Sequence, residues 1–346
     1  MKWLNARWQE LTGRYKKGFF LWIFCVFLFG ISILCTWLVT KNLYDQQAAD
    51  RWSKETEYAQ ISCFYPVSMA LSEFDFLSLH HKMEDALKAE SMEAASEGAK
   101  LFVDAYSVSG KLTMFTESQQ MEVTAVGVSD EFFLFHPLEL LAGSYFDENM
   151  IMKDGVILDE TAAFRLYGSN DVVGMPIFIG NSPYYIRGVA ALDDSYFAKK
   201  AGLSTSVCFV AMETIEKHGQ IEGSYTYEVV MPNAVDGFAK GIVETALNDT
   251  KQQIEVVENS TRFTFDKKKE VVMDFGVRSM SRNSIIYPYW ENIARATEDV
   301  CGILFVVQMI SLGIIVILSI WYVRKVYEKK GNSTDHDIGS VNTWRL

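Results

Sequence analysis

The 346-residue chain contains no Gly-x-x-x-x-Gly-Lys-Ser/Thr segment and no Gly-x-Ser-x-Gly elbow. The first absence excludes a phosphate-cradling P-loop within these residues. The second removes the usual mark of a serine hydrolase of the strand–turn–helix type. Histidine and cysteine are scarce, five of each. Cys25, Cys35 and Cys301 lie in long apolar runs, which leaves Cys63 and Cys208 elsewhere. Two isolated thiols give no disulfide framework, although an oxidising compartment would let them pair. Basic residues are also outnumbered, for a net charge of −12, and no fixed-period repeat or low-complexity tract is visible.

What the chain does have is two long uncharged stretches, residues 19–39 and 300–323. Each has the roughly 20 apolar residues a helix needs to cross a hydrocarbon core. The first is too long for a secretory h-region of about 7–15 residues and has no Ala-x-Ala cleavage pattern. Neither holds an ionisable group, which speaks against a proton relay or ion path through them. Lys2, Arg7, Arg14, Lys16 and Lys17 precede the first run, and Arg324, Lys325, Lys329 and Lys330 follow the second. The positive-inside rule then puts both termini in the cytoplasm and residues 41–299 outside a cell membrane. Residues 1–17 carry +4 and 324–346 carry +2, so the outer segment carries −18. So acidic a segment is unsuited to nucleic acid or an anionic lipid surface.

The layout expected is a cytoplasmic segment 1–17, a span 18–40, an outer domain 41–299, a span 300–323 and a tail 324–346. Residues 42–60 are polar and helix-compatible, and would prolong the first span as a stalk. Residues 59–65 read as a strand, and 73–90 as a helix with Phe74, Leu77, Met83 and Leu87 on one face. Residues 101–106 form the next strand, turned at 108–111 into 112–115. A second strand–helix–strand unit follows late in the chain: strand 225–231 stopped by Pro232, a helix capped by Asn233 to about Leu247, then strand 254–257. Two such units can pair in a ferredoxin-like α+β layer. Between them, at about 120–222, short strands dominate. Asp159 is placed to cap a helix over 160–167 closed by Gly168, and 180–183 is a hairpin turn. The fold class is therefore α+β: a βαβ subdomain with an inserted β-rich subdomain, flanked by two transmembrane helices.

In that insert, Gly127-Val128, Phe132-Phe133, Leu141, Gly143, Phe146, Ala162, Leu166, Gly168, Asp171, Gly174, Gly188 and Val189 fall in a fixed order. This order resembles the periplasmic core domain of MacB-type (FtsX-like) ABC transporter permeases, over residues 120–212 or so. The resemblance implies an outer domain of two subdomains, a non-enzymatic role in the membrane, a separate ABC ATPase and another permease subunit as partners. Permeases of this type carry four spans, three of them after the outer domain, whereas one follows it here. A shortened subunit that transmits ATP-driven motion to an extracytoplasmic domain, for export or to activate a partner, is the expectation. The alternative is a two-span sensor with an outer ligand-binding domain.

Candidate sites are few. His80-His81 with Glu84-Asp85 is the densest potential metal group, but zinc takes three or four convergent ligands and a solvated helix face explains it. Asp193-Asp194-Ser195 and Ser204–Ser206 have no marked base, and His136 suits a packed, hydrogen-bonded role. No catalytic, cofactor-binding or metal site is assigned. Trp3, Leu4, Trp8, Leu11 and Tyr15 recur at helical spacing opposite basic residues, as in a helix lying at the membrane interface. The resemblance adds contact with the ATPase as a second role for them. Tyr287, Pro288, Tyr289 and Trp290 precede the second span, either as an aromatic belt or as a mechanical joint with a bend at Pro288. Gly30, Ser32, Gly302, Ser311 and Gly313 would let helices approach closely.

Overall fold

In the strand Tyr58–Phe64 the odd residues are apolar while Gln60 and Ser62 alternate with them, and both faces are buried. The period of two sends the two sets to opposite faces of a sheet, and the whole architecture follows from what covers each face. The computed structural model describes residues 2–54, 57–92, 99–146, 152–191, 195–201, 203, 206–248, 253–278 and 284–341. For 2–16, 277–278, 326 and 328–341 it describes the backbone only. In chain order the elements are α1 (Lys2–Lys41), α2 (Ala48–Trp52), β1 (Tyr58–Phe64), α3 (Glu73–Ala89), β2 (Val103–Phe115), β3 (Gln120–Val128) and α4 (Phe132–Phe135). There follow β4 (Glu139–Gly143), β5 (Gly155–Asp159), α5 (Glu160–Tyr167), β6 (Pro176–Ile179), β7 (Ser182–Ala191), α6 (Tyr196–Lys200), β8 (Val207–Ala211) and α7 (Met212–His218). The last are β9 (Gln220–Pro232), α8 (Phe238–Leu247), β10 (Glu255–Glu258), α9 (Phe265–Met273), α10 (Phe275–Arg278) and α11 (Tyr289–Val341).

The strands form one sheet in the order β10-β1-β9-β2-β3-β8-β5-β7-β4, with β6 between the end of β2 and β7. The first four are antiparallel neighbours. Helix α3 joins β1 to β2 across β9, and α8 joins β9 to β10 across β1, which is the split βαβ pairing expected. Beyond β2 the sheet continues through β3 to β8, a parallel pair, and on to β5, β7 and β4. The outer chain is thus a mixed α/β domain between two long apolar helices, as expected from the sequence.

One sheet face carries Ile61, Cys63, Tyr227, Val229 and Met231 against α3 and α8. The helix α3 begins at Ser72 with a capping box to Asp75. It buries Phe76, Leu79, Met83 and Leu87, while Phe74 and Leu77 are 76% and 51% exposed. The expected face is corrected accordingly: both stripes share Met83 and Leu87, and Phe76 wins because it stacks between Tyr106 and Tyr227.

Three other expectations change. No turn interrupts 108–111; β2 runs through as one strand with a bulge between Val108 and Gly110. There a side chain on Gly110 would overlap the carbonyl of Gln220. The helix α1 does not extend as a stalk but stops at Lys41, where the Gln47 amide caps the carbonyls of Thr40 (3.1 Å) and Lys41 (3.3 Å). It is α11 that runs unbroken from the domain into its apolar segment. Finally, α8 starts at Phe238, although the Asn233 side chain still accepts a bond from the Ala239 N–H at 3.1 Å. The Asp159 cap on α5, the left-handed Gly168 (φ 73°) and the Gly180-Asn181 hairpin all stand as expected.

Cys63 and Cys208 are free and buried. They lie on β1 and β8, with β9, β2 and β3 between. Four strand spacings put them roughly 19 Å apart, far beyond the ~4.4–6.8 Å between Cα atoms that a disulfide spans.

The long helices lie antiparallel. Trp22 Nε1 donates to Ser319 Oγ at 3.0 Å, Gln308 Nε2 donates to Thr36 Oγ1 at 3.2 Å, and Ser32 and Ser311 are buried. Gly30 and Gly313 have no neighbour within 4 Å of a built Cβ, so neither belongs to this seam.

Candidate functional site

The second face of β1 and β9 is polar. Gln60 and Ser62, with Thr226 and Glu228, are all buried there, and buried polar groups must find partners. They find them in segments far apart in the chain. The Glu228 carboxylate accepts from Ser62 Oγ (2.6 Å) and pairs with His136 Nε2. His136 Nδ1 lies 3.0 Å from Asp45 Oδ1, just after α1. Gln60 holds the same segment, donating to the Asp45 carbonyl at 2.7 Å and accepting from the Ala48 N–H at 2.8 Å. Asn259 Nδ2 donates to Ser62 Oγ at 2.8 Å, and Arg262 Nη1 donates to Asn259 Oδ1 at 2.9 Å.

Arg262 is the hub. Its side chain is 3% exposed and grips Glu291 on α11 through two parallel bonds of 2.8 and 2.7 Å, while Nε bonds Glu298 two turns further along the same face. Arg295 adds a bond to Glu291 at 2.8 Å, pairs with Glu255 on β10 and lies 3.8 Å over the Tyr287 ring. Tyr287 in turn bonds Glu255 and packs edge-on against Phe64. Five charged side chains from two segments thus satisfy one another at the root of α11, the condition under which charges can be buried at all.

Above this cluster sits Trp290, 1% exposed, tilted against His136 at 4.2 Å between centroids and edge-on to Phe132. Its Nε1 is buried without a hydrogen-bond partner among the described residues. Of the residues read at 287–290 as an aromatic belt or a joint, Trp290 lies in protein, about 15 Å along the helix from Val300 at 1.5 Å per residue. Pro288 ends the incoming segment, and its carbonyl accepts from the Asn292 N–H at the first turn of α11. Burial of His136 works against its charge, but the carboxylates of Glu228 and Asp45 outweigh that and raise its pKa to about 9. It is therefore an imidazolium between two carboxylates at neutral pH.

The other sequence candidates fall elsewhere. His80 does not use Glu84 or Asp85; its Nδ1 lies 3.0 Å from Asp104 on β2, and that bond raises its pKa. Among the described residues no group of three or more His, Cys, Asp or Glu side chains could hold a metal ion. Ser195 spends its hydroxyl on capping α6, Ser206 is buried, and Asp193, Asp194, Ser204 and Thr205 lie outside the described residues. Trp3, Leu4, Trp8, Leu11 and Tyr15 belong to the α1 backbone, and their side chains lie outside the described residues. Of the residues now seen to form the cluster, Glu291, Arg295 and Glu298 repeat at i, i+4 and i+7. That spacing, one helical face just before an apolar run, was the available signal.

Residues 75–260 match the family model of the MacB-like periplasmic core domain, 186 of 346 residues. Among full-length relatives, the macrolide export ATP-binding/permease protein MacB of Shewanella sp. (strain W3-18-1) is 29% identical over 100 residues. That match covers 28% of this chain and 16% of the relative. The protein of the same name from Vibrio parahaemolyticus is 24% identical over 115 residues, covering 32% and 18%. The chain therefore spans under a fifth of the length of these relatives in the matched region. Among solved structures, the periplasmic region of MacB from Actinobacillus actinomycetemcomitans is similar over 64% of this chain and 94% of its own, at 13% identity and a TM-score of 0.40.

Proposed function

The chain belongs to the family of MacB-like periplasmic core domains, and from that premise we propose that it is a non-catalytic membrane subunit of an ABC transport or mechanotransmission complex. A partner ABC ATPase hydrolyses ATP, another permease subunit completes the membrane part, and this chain carries the resulting motion to the domain outside. Export, or activation of an extracytoplasmic partner, is the output.

One observation supports this reading above the rest: α11 is fastened to the domain by a buried charged cluster and Trp290 rather than by a slack linker. The segment 284–288 leading into it is tied down too, with Val67 N–H bonded to the Ser284 carbonyl and Ile286 N–H to Ser224 Oγ. A helix held in this way passes tilt and rotation to the sheet. The cluster reaches α1 as well, through Asp45, so relative movement of the two long helices would load β1 and β9. Tyr287, Pro288, Tyr289 and Trp290 act here as the joint. Residues Trp3, Leu4, Trp8, Leu11 and Tyr15 meet the ATPase or the membrane interface, with both termini cytoplasmic.

The test is gentle-detergent purification of the full chain from membranes of cells expressing its chromosomal neighbours. An ABC ATPase should co-purify, and nucleotide should alter hydrogen exchange at residues 284–300. Recovery of no ATPase, with exchange indifferent to nucleotide, overturns the proposal.

A further inference from the structure

We infer that α9 and α10 form an interfacial anchor, seated in the bilayer at the edge of the second span on the side of the large domain. The inference rests on the reading of α1 and α11 as spans. Their pairing fixes where the membrane ends. A Cβ on Gly18 would lie 3.1 Å from the Tyr322 hydroxyl, Trp22 bonds Ser319, and Thr36 bonds Gln308. Continued by one turn, this antiparallel register brings Val39, the last residue of the first apolar run, beside about Phe305. The second run rises roughly 36 Å over its 24 residues, more than the ~30 Å of hydrocarbon. Its first few residues therefore stand at the head-group boundary, the same level the end of the first run marks.

The helix α9 packs at that level. The Phe265 ring meets Phe305 edge-on at 5.1 Å, and Val271 is buried over Gly302, where an added Cβ would come within 3.1 Å of it. Just before α9, Arg262 is locked to Glu291 and Glu298, so the helix cannot drift away along α11. Yet Phe265, Met273 and Phe275 stay exposed by 57%, 76% and 53%. Ile303 and Ile310 of α11 are exposed too, and at the level fixed by the Phe265–Phe305 contact these apolar groups lie where acyl chains and head groups would cover them. Across 265–278, Lys267, Lys268, Lys269 and Arg278 stand against Asp266, Glu270 and Asp274, a net charge of +1. With so small a net charge, apolar insertion rather than attraction to anionic lipid drives the seating. The large domain then touches the membrane at a third place and is held at one tilt beside the joint.

To test this, the full chain is placed in phosphatidylcholine nanodiscs with an environment-sensitive fluorescent amino acid at position 273. A second sample carries it at position 74, which is equally exposed at 76% but on α3. Position 273 should emit at shorter wavelength and lose intensity when the lipids carry a nitroxide near the head group, while position 74 does neither. Adding anionic lipid should leave this contrast unchanged. Emission and quenching at 273 like those at 74, or a contrast that appears only with anionic lipid, would overturn the anchor.

Discussion

Replacing Arg262 with Met keeps most of the side-chain volume and removes five donors. Glu291, 1% exposed, is left with Arg295 alone, Glu298 loses its bond, and Asn259 loses a donor. Breaking a buried ion pair from one side costs about 3–5 kcal/mol, because the remaining charge stays desolvated. For a folding unit of this size, each kcal/mol is worth about 2–4 °C. The apparent Tm of Arg262→Met should therefore fall by roughly 6–20 °C. Intrinsic tryptophan fluorescence of the full chain in nanodiscs, at one scan rate, reads this, since Trp290 reports on the cluster directly. The double variant Arg262→Met/Glu291→Leu removes both ends of the pair, and apolar replacements of such pairs are often neutral. It should melt above Arg262→Met alone. The reasoning is refuted by a loss under about 1 kcal/mol in the single variant, or by two substitutions whose losses simply add.

The remaining predictions follow from particular contacts. The raised pKa of His136, about 9 against 6.5 unfolded, contributes stability that is full below pH 6.5 and lost as pH rises through 9. The amount is at most about 3 kcal/mol, and melting His136→Gln beside the native chain from pH 6.5 to 9.5 should show the native slope flattened. An unchanged slope would contradict the ion triad. Phe76→Ala should cost about 3–5 kcal/mol, whereas Phe74→Ser stays within about 0.5 kcal/mol; urea unfolding separates the two stripes of α3. Gly143→Ala should lose roughly 1–3 kcal/mol, because φ is 81° and a Cβ would overlap the Arg187 carbonyl; thermal melts check it.

The two long apolar helices, the split βαβ layer and the helix-capping turn chemistry were legible because each is written locally. An apolar run, a strand–helix–strand period, an Asp before a helix and a Gly after it need no knowledge of distant partners. The face of α3 was not, since Phe74 and Phe76 begin equally good apolar stripes and only the stack between Tyr106 and Tyr227 decides. The continuity of β2 was hidden because Gly110 suits a turn as well as a bulge. The charged joint was least visible. Asp45, His136 and Glu228 are about ninety residues apart in turn, and charges seen singly read as solvent-facing. Alternate polar residues in β1 and β9, strands otherwise apolar, were the trace they left.

The central claim is that the outer domain and α11 move as one body. Spin labels at position 74 on α3 and position 310 on α11, both exposed, measure it by pulsed electron–electron resonance on the full chain in nanodiscs. A single narrow distance distribution that broadens in Arg262→Met is the predicted result. A distribution already broad in the native chain, or one that Arg262→Met leaves unchanged, would contradict the joint.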